Sequence, residues 1–476
     1  MTIVTRNIIT PGIVPASVLL AEPRPDWLTR WGRFGVTLGF DKLQPELVAQ
    51  TKLVLLDCIG AMASGMQEPE LLKLAGRLAK RGRGDVAAVG AGISLRGDDA
   101  AFINGTAGTA LELDEGNSFA RGHPGIHVLP AALSTALAGG KSGRDFMTAF
   151  ILGYEVGARA GAACRLRPTV HPHGTWGTIG AAFATALLDG ADEEALIETV
   201  NVSATLSVGA SLRAMLEGAT VRNSFCGFSN RNGMMAWDMV ASGFKGEIDS
   251  VCTVYSGILA EGFKPEMMAD ELGSRYEIQR NYFKRHAACR FTHGSLDVVR
   301  SLITAHGRIA PEDIASIEVE TYAYAAQLDS LEPSNMLAAK FSLPFAIATT
   351  IINGEASVPA FRQASVDNET IRALARKVSV REKLEYTAML PDKRPAHLTI
   401  RLTDGRVLAA ETMTNRGDAV DPYTPDEVRA KFFELAVPVW GKAHADRILN
   451  AIETIETAPD LTGLNSLLAQ PAIKEA

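Results

Sequence analysis

The sequence predicts a mainly α protein, with a large helical domain built from both chain ends and a smaller α+β domain inserted as a lid. Three observations carry that prediction. From Glu46 to Gly294 apolar residues recur at helical spacing almost throughout. Strand-like alternation enters only after about residue 281, and helical patterning returns near residue 417. The expected boundaries are an N-terminal extension over residues 1–25, a helical domain over 26–280 and 417–476, and an α+β lid over 281–416.

Taken in order, the first 25 residues are broken by Pro11, Pro15, Pro23 and Pro25, and have no long apolar stretch of the kind a signal peptide requires. They read as an arm. ELVAQTKLVLLDCIGAMASG sets Val48, Leu53, Leu55, Leu56 and Ile59 at near-helical spacing and stops at a glycine. DDAAFINGTAGTALEL begins at Asp98 or Asp99, the type of residue that caps a helix. GRDFMTAFILGYEVGARAGAAC reads as one long buried helix, and GTIGAAFATALLDG and EEALIETVNVSATLSVGASL continue the Ala/Gly-rich style. Helices apolar on most faces belong inside a bundle.

Within the lid, ASIEVETYAY (Ala315 to Tyr324) alternates as a strand. HLTIRLTDGRVLAAET (His397 to Thr412) is a hairpin turning at Asp404-Gly405. The runs THGSLDVVRSLITAHG and AAKFSLPFAIATTIING supply helices beside a small antiparallel sheet. Thr424-Pro425-Asp426-Glu427 then opens the C-terminal helices with a cap, a first-position proline and an acid three residues after the cap.

The chain has 476 residues and a formal net charge of −7, so it has no general pull towards nucleic acid or anionic membrane. No apolar run approaches the ~20 residues of a membrane span. Cys58, Cys164, Cys226, Cys252 and Cys289 stand singly, without the spacing of a metal site, and fit a reducing cytoplasm. An anionic substrate therefore needs a local cationic pocket.

Five polar segments interrupt the apolar pattern. The first joins Glu112, Asp114 and Glu115 to the Gly/Pro-flanked His123; Pro124 and Gly125 argue against a helical metal pair of His123 with His127. The second runs from His171 through His173 to Thr178; an extended reading points the two histidines opposite ways, and the following helix start at Thr175 offers donors to a carboxylate. Arg222 in the third can clamp a carboxylate with its planar fork. The fourth is a dense basic stretch, Lys284 to His293, containing Cys289 and Arg290, and the fifth centres on Lys340. Acids, imidazoles and local positive charge are what proton abstraction beside a carboxylate needs. No phosphate loop, dinucleotide fingerprint, nucleophile elbow or HExxH run occurs, so neither cofactor nor metal is expected.

Several of these motifs, in this order, resemble the MmgE/PrpD family, which includes 2-methylcitrate dehydratase, cis-aconitate decarboxylase and iminodisuccinate epimerase. The carriers are LLDCIGAMASG, ELDEGN with GHPGIHVLPAAL, GYEVGARAG with HPHGTWGTIGAA, the Arg222 loop, CRFTHGSLD and AKFSLPFAIA. The resemblance implies a homodimer and a metal-free site between the domains. It makes His123 and His171 the loop histidines, with Asp114, Glu112 and Lys284 assisting, and Arg222, Thr175, Cys289, Arg290, His293 and Lys340 on the substrate. Cys289 stands where dehydratase-like members have Cys and the animal decarboxylase has His. The family's LDFDDT run reads here Leu111 to Gly116, with Glu112 for the first Asp and Gly116 for the Thr. The reaction expected first is dehydration of a 2-methylcitrate-like polycarboxylate. Epimerisation of a dicarboxylate such as iminodisuccinate follows, then decarboxylation, then a scaffold without activity.

Overall fold

The computed structural model describes Leu20 and residues 23–473, so most of the predicted arm lies outside the described residues. The first long helix, α1 (Pro45–Met66), has a proline in its opening turn, where the missing N–H costs no helical bond. Contrary to the sequence expectation, α1 is long and apolar enough by composition to cross a membrane. Most of it is buried in protein instead, against α2 (Gly97–Ala110) and the C-terminal helix introduced below as α9 (Pro425–Trp440). A buried ion pair from Lys431 Nζ to Asp57 Oδ1, 2.5 Å, joins α9 to α1. In α2 the cap position falls on Arg96, so Asp98 and Asp99 lie in the first turn, where they face the positive end of the helix dipole rather than cap it.

α3 (Pro124–Ala138), α4 (Gly143–Ala163), α5 (Gly177–Asp189) and α6 (Phe225–Ala241) complete the centre of the bundle. α5 packs against the other three. Its approach to α4 depends on Gly153 and Gly180, since a Cβ on Gly153 would stand 2.6 Å from the Gly180 carbonyl oxygen. One apolar cluster runs through these helices and takes in Phe432, Val439, Ile448 and Ile452 from the C-terminal segment. The two chain ends thus share a core. The predicted cap of α9 is present: Thr424 and Glu427 form a reciprocal capping box ahead of Pro425.

A second apolar cluster holds α7 (His293–His306), α8 (Leu343–Asn353) and a four-stranded sheet. Its strands are β1 (Ile314–Thr321), β2 (Val378–Glu382), β3 (Ala396–Leu402) and β4 (Val407–Thr412), in the order β4-β3-β1-β2. The hairpin β3–β4 turns at Asp404-Gly405, with Gly405 in the left-handed region at φ 91°. β1 pairs antiparallel with β3, Ile317 opposite Ile400. The sheet is not wholly antiparallel: β2 lies parallel to β1, Val378 opposite Ile317. Only Val378 of this short edge strand is buried, so it lacks the alternation that marks a strand in sequence. Leu111, Leu113 and Met215 from the helical part also join the second cluster, which puts the acidic loop at the seam.

Candidate active site

The acidic loop connects α2 to α3 and is held from several directions. Glu112 and Arg121 both have φ 56°, a left-handed conformation costing a residue with a side chain about 1–2 kcal/mol. Lys431 donates to the Leu113 carbonyl, so the C-terminal helix braces the loop. Gly116 and Asn117 pair with Tyr282 and Asn281 in a two-residue ladder. A Cβ at Gly116 would collide with the Tyr282 hydroxyl, which explains glycine at this position. Glu115 turns inward, accepting the Gly125 N–H at 2.7 Å and the Tyr154 hydroxyl at 3.0 Å. Burial outweighs these bonds and pushes its carboxyl up to about 8.

His123 occupies the cap position of α3 with Pro124 behind it. Its Nδ1 lies 2.6 Å from Asp114 Oδ2, and both side chains are buried. The carboxylate accepts, which assigns the proton to Nδ1 and leaves Nε2 as the ring nitrogen able to exchange a proton.

The His171 segment is a tight turn, where the sequence reading had extended chain. Pro172 and Gly174, with φ 91°, fold it back, and the two rings meet at 4.7 Å between centroids. The His173 N–H donates to His171 Nδ1 at 3.0 Å. Burial and then the Arg222 charge hold His171 well below the usual imidazole range. A neutral ring with Nδ1 accepting carries its proton on Nε2. Arg222 Nε stands 3.4 Å from that nitrogen, so this is a meeting of two donors rather than a bond, open to an anion that accepts from both.

His173 also packs edge-on to His123, 4.7 Å between centroids. Cys226 Sγ lies 3.3 Å from His127 Nε2 and 3.4 Å from His173 Nδ1. These three ligand atoms fall within 4.8 Å of one another and are of types that can hold a metal. They are separated by 99 and 53 residues, so no spacing pattern signals them. Burial holds His127 down to about 3, keeps His173 well below the usual imidazole range and the Cys226 thiol well above its ordinary value, which favours the neutral form of all three.

Glu112 lies between two cations. Arg222 Nη1 reaches Oε1, and Lys284 Nζ donates to Oε2 at 3.1 Å. Burial opposes ionisation of Glu112, but Arg222 and then Lys284 override it and hold the carboxyl well below its usual range.

A cavity of about 260 Å³ lies over these groups, a size suited to a small acid. Its walls include Glu112, His123, His171, His173 and Arg222 from one side, and Cys289, Arg290, Phe291, Phe341 and Arg394 from the other. Of the sequence-predicted residues, Asp114 and Lys284 sit behind the wall, reaching it through His123 and Glu112. Thr175, His293 and Lys340 do not line it. The Thr175 hydroxyl donates to the Pro172 carbonyl at 2.5 Å, and His293 Nε2 lies 3.3 Å from the Ala288 carbonyl. Lys340 Nζ donates to the Ala110 carbonyl at 2.9 Å, and burial brings its amine down to about 7. Tyr282 and Arg394 are among the wall residues the sequence reading did not single out, and they arrive through tertiary packing. Cys289 is buried and its thiol is pushed up to about 12, so it presents a neutral, slightly polar surface.

Comparison with known proteins identifies the family. Residues 30–268 match the MmgE/PrpD N-terminal domain, and residues 286–457 match the MmgE/PrpD C-terminal domain. Cis-aconitate decarboxylase of Aspergillus terreus is 24% identical over 463 residues, 91% of this chain and 94% of that protein. The human cis-aconitate decarboxylase is 24% identical over 462 residues, covering 91% and 92%. The cis-aconitate decarboxylase-like protein oryM of Aspergillus oryzae is 24% identical over 403 residues, 78% of this chain and 82% of that protein. With both domain models matched in order across most of its length, the chain belongs to the MmgE/PrpD family.

Proposed function

We propose that the protein is a lyase that moves a proton at a carbon beside a carboxylate of a small polycarboxylic acid. The observation carrying this reading is the division of labour between the two histidines. His123, backed by Asp114, presents a nitrogen able to exchange a proton. His171 Nε2–H and Arg222 Nε–H converge on the same cavity as a seat for an anion. A carboxylate seated there places its neighbouring carbon beside His123, and the two donors take up charge as an enolate-like intermediate forms. Asp114 fixes the ring and balances the imidazolium formed during transfer.

One proton-exchanging group suits decarboxylation of a cis-aconitate-like acid, where loss of CO2 leaves a carbanion that a single acid must protonate. The relatives support the same order. Dehydration of a 2-methylcitrate-like hydroxy acid is the second reading, favoured by Cys289 on the cavity wall. It needs His123 to take the carbon proton and return it to the departing hydroxide. Epimerisation without a second exchanging group fits least well. The test is incubation with cis-aconitate and, separately, 2-methylcitrate, following released CO2 and double-bond absorbance. Decarboxylation predicts CO2 from the first acid; dehydration predicts a new alkene from the second. Neither signal, with no acid raising the Tm, rejects the reading.

A further inference from the structure

Resting on the lyase reading above, we infer that Arg121 and Arg167, which open the two histidine loops, form an outer seat for a substrate carboxylate remote from the reacting carbon, with Glu261 moderating its strength. The cavity walls hold six arginines and two glutamates, an excess of positive charge in a chain whose net charge is −7. Arg222 is buried and faces Glu112. Arg165 and Arg167 are exposed, so they mark the solvent side of the cavity. They lie along a two-stranded ribbon in which Cys164–Leu166 runs antiparallel to Ala260–Phe263.

The outer arginines are not equivalent. Arg165 is neutralised: Nη1 lies 3.1 Å from Glu261 Oε2, and Nη2 donates to the Glu261 carbonyl at 3.2 Å. Arg167 uses only Nε, which donates to the Ile258 carbonyl at 2.8 Å. Arg121 is half-buried at φ 56°, a strained backbone for a residue with a side chain, and its Nη2 donates to the Cys164 carbonyl of the ribbon. Neither Arg121 nor Arg167 has an acid as partner among the described residues, so each keeps its charge and spare N–H groups for an incoming anion.

Chain geometry sets the reach. Arg121 precedes His123 by two residues, at most about 7 Å of extended chain. Arg167 precedes His171 by four, and a turn shortens that span, with the Val170 N–H bonded to the Arg167 carbonyl at 2.9 Å. A small tricarboxylate with one carboxylate at His171 and Arg222 therefore extends its far arm within reach of the outer pair.

The experiment is calorimetry with propane-1,2,3-tricarboxylate and 2-methylsuccinate, saturated acids that differ by a carboxymethyl arm against a methyl. The wild type is expected to bind the tricarboxylate tighter by on the order of tenfold, with added salt shrinking the ratio. Arg167→Gln and Arg121→Gln should each lower the ratio by about two- to fivefold, as for a partly exposed charge pair. Glu261→Gln frees Arg165 and should raise it. Arg308→Gln, which removes an exposed arginine outside the cavity walls, should leave it unchanged. A wild-type ratio of one or less overturns the inference, as does an unchanged ratio in Arg167→Gln, an equal fall in Arg308→Gln, or a fall in Glu261→Gln. Should Arg121→Gln fail to fold, the exposed Arg167 and Glu261 variants decide. Binding of neither acid by the wild type removes the lyase reading as well; equal binding of both removes only the outer seat.

Discussion

The two histidine loops face one cavity, yet their environments give the rings opposite duties. In the first loop, a buried carboxylate accepts from the ring, and the free nitrogen of His123 points to the cavity. In the second, a backbone N–H occupies the ring's lone pair, and burial, then the Arg222 charge, keeps His171 neutral. Residue type alone makes the two histidines equivalent. What separates them is whether the partner of Nδ1 accepts or donates, because that fixes which nitrogen is left to exchange a proton.

Removing His123 should break this comparison most severely. His123→Ala is expected to lower kcat by about 10²–10⁴-fold, the usual contribution of a positioned acid–base group, with the Tm little changed. Asp114→Asn comes next, since the amide can donate to Nδ1 and turn the ring to the wrong tautomer; about 10²-fold in kcat is expected from steady-state kinetics. His171 should behave differently. His171→Ala removes a donor to a charged group and is expected to cost roughly 10–100-fold in kcat/KM. His171→Gln, which restores an N–H donor, should recover most of that loss. A proton carrier would not be rescued in this way.

The smallest effect concerns Glu115, three residues along the loop from Glu112, with its carboxyl shifted up where that of Glu112 is shifted down. Its folded-state carboxyl sits near 8, above the ordinary value of 4.5. A raised pKa gives stability that is fully present below the unfolded value and is lost as pH rises towards 8. Glu115→Gln mimics the protonated acid, so its Tm relative to wild type should increase between pH 5 and pH 8. A Tm difference independent of pH would show that Glu115 is ionised in the fold.

The architecture was legible because periodicity is local: the runs read as helices became α1, α2, α4 and α5, and Asp404-Gly405 became the hairpin turn. The site was legible where chemistry clusters along the chain, as at His123, His171, Arg222 and Cys289-Arg290. It failed where direction depends on a partner far away in sequence. Thr175 and Lys340 are of the right type, but their polar atoms bond to carbonyls, and Arg394 reaches the cavity from a segment with no motif at all. The His171–His173 turn was misread as extended chain because Pro172 between two histidines does not reveal the reversal at Gly174. Gly116 carried a signal that the close approach of Tyr282 and the Gly122 carbonyl explains.

The most direct test of the histidine assignment is nitrogen NMR of ¹⁵N-histidine-labelled protein, comparing wild type with His171→Gln to identify the His171 resonances. From pH 5 to pH 8 the account predicts a neutral ring protonated at Nε2 whose shifts do not titrate. Conversion to imidazolium within that range, or a proton resident on Nδ1, would contradict it.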